Sequence, residues 1–282
     1  MKTRVPTHGV KAAGLCLAAS LILGVAMANA DEAPAAAAAE ATTNAPAAAA
    51  PAPTKDWSVT SSQDYFSQYV FRGVTILDHN AIWSPSVIAT YKNLTAYYYG
   101  YFGSGNDTVP GNRWYEEDDF AADLHQAILN DKLTMTAGMY GYIYPDGVSG
   151  KDTYEFYGKA AWADYFNPYI GLNWDVHVFH GGYGYAGVTH TYDVTDMLKL
   201  KDGHTLSITP SAQLGIDFGY NWRGSKDNVT WNDVLLGLNM SYGITSALSV
   251  HAMYQLSVAL NSVHALGVGN QSIFNLGATY AF

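Results

Sequence analysis

The chain has 282 residues, with 14 basic against 24 acidic side chains and a formal net charge of −10 with histidine neutral. That balance argues against a nucleic-acid partner, which needs a basic face. The single cysteine, Cys16, lies in the first apolar segment, so the chain beyond it has no disulfide and no thiolate chemistry.

Residues 1–30 read as an export signal. Lys2, Arg4 and Lys11 precede an apolar run from Ala12 to Met27, and Ala28-Asn29-Ala30 supplies an A-x-A cleavage site. Its removal would start the mature chain at Asp31 and take the net charge from −10 to −13, because three bases and no acids leave with it. Residues 31–55 are rich in Ala, Pro and Thr and lack aromatic residues, the composition of a low-complexity periplasmic linker. The 10 Phe, 7 Trp and 22 Tyr all fall after residue 56, about one residue in six there. No run beyond the signal offers the ~20 apolar residues of a membrane helix. Many Tyr and Trp, frequent Gly and few charges instead fit a transmembrane β-barrel, whose strands turn one face to lipid. The expected fold is all-β, an antiparallel barrel over residues 56–282.

Period-2 alternation predicts twelve strands: 57–66, 81–91, 94–103, 114–129, 132–144, 152–164, 168–179, 182–193, 204–219, 229–243, 246–260 and 270–282. The seventh sets Pro168, Ile170, Leu172, Trp174, Val176 and Val178 against Tyr169, Asn173, Asp175 and His177. The ninth sets Leu206, Ile208, Pro210, Ala212, Leu214, Ile216 and Phe218 against Ser207, Thr209, Ser211, Gln213 and Asp217. Short turns at 92–93, 130–131, 165–167 and 243–245 interleave with longer, Gly/Asn/Asp/Ser-rich segments at 67–80, 104–113, 145–151, 220–228 and 261–269. The exception is 194–203, long where a short turn is due; a brief helix or a strand extension would account for it. An even strand count puts both chain ends on the periplasmic side. Pro85 and Pro210 interrupt strands, so bulges or rim positions are expected there. Trp83, Trp162, Trp174 and Tyr280 are expected at the lipid boundaries.

The last strand alternates Phe274, Leu276, Ala278, Tyr280 and Phe282 with Asn275, Gly277, Thr279 and Ala281. Asn275, Gly277, Tyr280 and Phe282 resemble the C-terminal signal by which the bacterial barrel assembly machinery recognises its clients, which implies that machinery, periplasmic chaperones and outer-membrane lipid as partners. Ser67-Gln68-Tyr69-Val70-Phe71-Arg72-Gly73-Val74 resembles the S-x-Y-x-F-R-G motif of the TorF-type porin family of Gram-negative bacteria. Tyr97–Asn106, Gly141–Asp146 and Thr153–Gly158 resemble later stretches of that family. The departures are Thr75-Ile76-Leu77, where the family runs on with Ser-Gln, and a loosened acidic motif at Glu117-Asp118-Asp119-Phe120. The resemblance implies a porin-like barrel of the bacterial outer membrane, and it carries over no catalytic residue.

Charges within strands are expected to face the lumen, because a lipid-facing side chain should be apolar. The inward acids are then Asp119, Asp123, Glu155, Asp175, Asp217 and Asp233, with Lys159 the clear inward base. Arg72 joins them at the outer mouth if the first strand runs past Tyr69, and His125, His177 and His251 also face inward. Six acids against one clear base suggest a cation-preferring lumen; the competing arrangement is a self-neutralising polar network. His177 and His180, three apart, fall on opposite strand faces, and no metal is implied. No G-x-S-x-G elbow is present, and His251, with Ser249 and Ser257, falls on a face that reads as inward, unsuited to a lipid hydrolase. A non-enzymatic channel for passive diffusion of small solutes, without a cofactor, is the expected function. A structural or adhesion barrel with a side-chain-filled lumen is its main rival.

Overall fold

The structure is a computed structural model that describes residues 56–77, 80–104, 114–145, 150–221 and 229–282. The expected export signal and linker, and most of loops 104–113 and 220–228, lie outside the described residues.

Twelve wall strands form: β1 (Trp57–Phe66), β2 (Ile82–Tyr91), β3 (Leu94–Ser104), β4 (Trp114–Ile128), β5 (Leu133–Ile143) and β6 (Thr153–Trp162). β7 (Tyr169–Asp175), β8 (Gly182–Thr189), β9 (Thr205–Phe218), β10 (Val229–Gly243), β11 (Leu248–Ala259) and β12 (Gln271–Ala281) follow. Each pairs antiparallel with its neighbours in sequence. β1 closes the circle on β12 in the register Thr60↔Ala281 to Phe66↔Asn275. Closure removes the free edges that an open sheet would expose. Along this seam Ser62 and Thr279 meet hydroxyl to hydroxyl at 2.8 Å, and the Phe282 amide donates to the Val59 carbonyl.

The period-2 pattern sorts the two faces. Phe120, Leu124, Phe156, Ile170, Leu236, Leu238, Phe274 and Leu276 are exposed on the outer wall, as a lipid-facing band requires. Trp83, Trp162, Trp174 and Tyr280 are also exposed on that wall, near strand ends. Trp83 packs on Phe102 at 5.3 Å, and Tyr280 on Phe282 at 4.9 Å. The opposite faces are buried, including Tyr97, Tyr99, Tyr101, Tyr140, Tyr157, Tyr183 and Tyr185.

Several expected details move. The seventh strand ends at Asp175 instead of residue 179, because the Asp175 carboxylate takes the amides of His177, Phe179 and His180 and turns the chain. The eighth ends at Thr189, and Tyr192–Asp193 is a separate two-residue strand on β9. The long connection 194–203 holds neither the brief helix nor the strand extension expected there, but a turn in which the Leu198 amide donates to the Val194 carbonyl at 3.1 Å. Pro85 and Pro210 keep their registers against Gln63 and Leu238, and neither makes a bulge. The irregularity falls at Leu214/Ile216, where β10 holds one extra residue. That turns consecutive residues Asn232 and Asp233 both inward, at 0% and 2% exposure. Glu116 and Asp118 depart from the rule that strand charges face inward. They share the outward parity of Phe120 close to the start of β4, and Asp118 accepts from the Tyr98 hydroxyl at 2.8 Å. A strand end lies at headgroup depth, where a carboxylate is less costly than at mid-membrane.

Candidate functional site: a stoppered lumen

The connection after β1 does not stay outside. Val70–Phe71 and Val74–Thr75 pair as a small hairpin, Phe71↔Val74, which folds back into the barrel at the end opposite the chain termini. Its two-residue tip has Arg72 at φ +49° and Gly73 at φ +80°. Positive φ at both central positions is the type I′ hairpin geometry, and glycine suits the second place. A Cβ on Gly73 would stand 2.8 Å from Val263 and 3.2 Å from Asp233, so space as well as φ requires glycine. The Arg-Gly pair at positions 72–73 is therefore a turn device that carries a long cationic side chain into the lumen.

The hairpin hangs on wall side chains. Gln68 donates to the Ser272 carbonyl on β12 at 2.6 Å. The Tyr69 hydroxyl donates to Glu117 at 3.0 Å, and its ring stacks on Tyr101 at 4.9 Å. Glu117 also accepts from the hydroxyls of Tyr115 and Tyr144. The Arg72 carbonyl takes Nδ2 of Asn232 at 2.8 Å and Nδ2 of Asn221 at 3.1 Å. Asn232 is fixed in turn by Ser262 at 2.6 Å, from the short helix α1 (Asn261–Ala265) that lies over the same end. Leu77 and Val263 are fully buried there.

The Arg72 guanidinium forms the centre of the arrangement. Nη1 and Nη2 donate to the two oxygens of Glu155 at 2.7 and 2.5 Å, with side-chain exposures of 6% and 0%. Its carbon lies 4.5 Å from the Phe71 ring, 4.3 Å from Tyr220 and 5.1 Å from Tyr183. Tyr142 at 3.1 Å and Asn173 at 3.3 Å also donate to Glu155. This bidentate fork matches carboxylate geometry, and the rings replace hydration that a buried cation loses. The expectation that Arg72 reaches the lumen on a prolonged first strand is corrected: β1 stops at Phe66, and the hairpin brings Arg72 in.

The other expected lumen charges face inward, with one exception. Asp123 accepts from Tyr97 at 2.7 Å, and His125 stands 3.6 Å from it, partly exposed toward the terminal end. Asp119 is fully buried. Asp175 accepts from Thr153 at 2.5 Å besides its three amides, and Asp217 accepts from the amides of Tyr220 and Asn221. Asp233 takes Tyr183 at 3.0 Å and Asn232 at 2.9 Å. Lys159 sits over the Tyr169 ring at 4.9 Å. His251 is buried and bonds Asp64 at 2.7 Å. His177 is the exception: it is exposed on the rim beyond β7, with Nδ1 3.0 Å from the Asp152 carbonyl.

Asp64 and Glu117 are lumen acids that the sequence reading missed, although parity offered both: Asp64 alternates with exposed Tyr65, and Glu117 shares the face of Asp119. Within the terminal strand, Asn275 is fully buried and donates to Asp64 at 2.9 Å. A Cβ on Gly277 would collide with both the Asp64 carboxylate and the His251 ring. Asn275 and Gly277 thus have packing roles at the barrel seam, whatever an assembly machine reads in them. Among the described residues, no group of three His, Cys, Asp or Glu is placed to hold a metal ion.

No family model matches the chain, and no curated protein matches it. Solved structures do. A KdgM porin aligns with 79% of this chain and 99% of its own, at 11% identity and a TM-score of 0.50. A NanC porin covers 79% and 98% at 12% identity and a TM-score of 0.49. An outer membrane channel of the COG4313 group from Pseudomonas putida F1 covers 80% and 94% at 13% identity and a TM-score of 0.43. At such identities the likeness is of fold alone. The chain has the closed, twelve-stranded antiparallel fold of outer-membrane porin channels.

Proposed function

We propose that this protein is a porin-like channel of the bacterial outer membrane for passive diffusion of small solutes, with 67–77 as its stopper. One observation carries the reading: a connecting segment folds into the lumen at one end, hung from side-chain bonds to Glu117, Glu155, Asn232 and the Ser272 carbonyl. Wall side chains cannot leave a barrel, whereas a tethered hairpin can swing out without breaking a wall ladder. A barrel of twelve strands also encloses more width than the eight-stranded kind that side chains fill. Under this reading residues 1–30 direct export, 31–55 are a periplasmic linker, and Asn275, Gly277, Tyr280 and Phe282 present the chain to the assembly machinery. The motif Ser67–Val74 supports placing it near the TorF-type porins.

The lumen favours cations in this reading. Asp64, Glu117, Asp119, Asp123, Glu155, Asp175, Asp217 and Asp233 are all buried on the inner face, against Arg72 and Lys159. A lumen of one sign raises the local concentration of the opposite ion. Reversal potential across a planar bilayer under a sodium chloride gradient tests this, with cation preference expected and fading toward 1 M salt, where the screening length is ~3 Å. Arg72→Ala should conduct more than the parent. Correctly folded protein that carries no current in either form would reject the channel and favour the second reading, a structural barrel whose lumen is permanently filled. The burial of Leu77 and Val263 beneath the hairpin is what favours that second reading.

A further inference from the structure

We infer that the wall around Glu155 is a binding site for guanidinium-bearing solutes, which Arg72 occupies from within the same chain. The inference rests on the channel reading for its transport role, but the site itself does not. Glu155 is held on β6 with both oxygens turned to one planar fork. Tyr142 from β5 and Asn173 from β7 both donate to its Oε2 and fix its rotamer independently of Arg72. Tyr183 on β8 and Tyr220 beyond β9 supply aromatic faces at 5.1 and 4.3 Å from the guanidinium carbon. Apart from Phe71, none of these groups belongs to the hairpin: Glu155, Tyr142, Asn173 and Tyr183 are on wall strands, and Tyr220 follows β9.

A carboxylate locked edge-on, with stacked rings beside it, is a receptor for a flat delocalised cation. A compact ammonium would meet the carboxylate but gain less from the ring faces and could not bond both oxygens in parallel. Arg72 therefore behaves as a built-in competitor. A solute with a guanidinium head, entering once the hairpin lifts, takes over the same two oxygens and the same rings. Recognition is then coupled to opening, because the solute stabilises the state in which Arg72 is displaced. A ligand that favours one state shifts the balance by its difference in affinity for the two.

The test uses the full-length protein refolded in detergent, with ethylguanidinium as the probe. Arg72→Gln removes the guanidinium, and its shorter, neutral amide side chain leaves the site free. Ethylguanidinium at millimolar levels is expected to raise the thermal midpoint of Arg72→Gln, to do little to the parent, and to do at least tenfold less, in concentration terms, to the Arg72→Gln/Glu155→Gln double variant. Ethylammonium at equal concentration should protect Arg72→Gln less than ethylguanidinium. Equal protection by the two cations, or protection that survives Glu155→Gln, would overturn the site. If Arg72→Gln does not fold alone, its recovery on refolding in ethylguanidinium, but not in ethylammonium, gives the same answer; recovery with neither overturns it. Conductance separates the two proposals: protection without current in any variant would keep the site and remove the channel, whereas current without protection would do the reverse.

Discussion

Glu155→Gln is the sharpest perturbation of the stopper. Among the described residues it removes the one charge paired with Arg72 at hydrogen-bond distance, and it leaves an amide group facing N–H donors. With Arg72 only 6% exposed, the guanidinium stays buried without its hydrogen-bonded counter-charge in the docked state. In the undocked state Arg72 is hydrated in parent and variant alike, so the cost falls on docking. Breaking one partner of a buried pair costs about 3–5 kcal/mol, which raises the undocked fraction by roughly two to three-and-a-half orders of magnitude. Residue Cys16 is the chain's single cysteine, so Cys16→Ser with Leu77→Cys gives a unique thiol at a site that is 1% exposed. Its labelling by a small maleimide requires opening, and the rate tracks the open fraction when closing is fast. Adding Glu155→Gln to that background should accelerate labelling by the same factor. An acceleration below about tenfold, less than 1.4 kcal/mol, would refute the view that this ion pair holds the hairpin.

Gly277→Ala should destabilise the barrel by about 1–3 kcal/mol in urea unfolding without any assembly factor, because the new methyl overpacks the Asp64–His251 pair; an unchanged midpoint would leave Gly277 with a signalling role alone. Deleting Phe282, which is exposed and contributes one seam amide bond, should lower heat-modifiable barrel in cells yet leave refolding into lipid vesicles nearly intact. Parallel losses in both assays would argue that it serves packing and not assembly. Asp123→Asn keeps an acceptor for the Tyr97 hydroxyl while removing a lumen charge, so it should reduce cation preference in reversal-potential measurements with the fold retained; a preference that does not fall would remove Asp123 from the selectivity account. Tryptophan emission should be quenched by brominated lipid, since Trp83, Trp162 and Trp174 face outward, and insensitivity to that quencher would contradict the assignment of the wall's faces.

Much of this protein was determined by its sequence through local rules. Period-2 alternation reports which residues share a face, and it needs no knowledge of what lies across the barrel. Hence Leu276 and Ile170 on the lipid wall, Asp217 and Asn173 inside, twelve strands and closure of β1 on β12 were legible along the chain. Glu117 was legible in the same way and was overlooked, since its parity is that of Asp119. The tertiary structure decided the rest. Arg72 meets Glu155 across 83 residues of sequence, and Asn232 meets the Arg72 carbonyl across 160. Whether the 67–77 segment turns outward or inward depends on the width and chemistry of the cavity that closure creates, which no window of sequence contains. The bulge that points both Asn232 and Asp233 inward breaks the very periodicity used to read the strand. Asp175 ends β7 early because its carboxylate finds three amides that a continued strand would have left to the neighbouring strands. Local alternation fixes the face of a side chain; only the closed barrel fixes its partner.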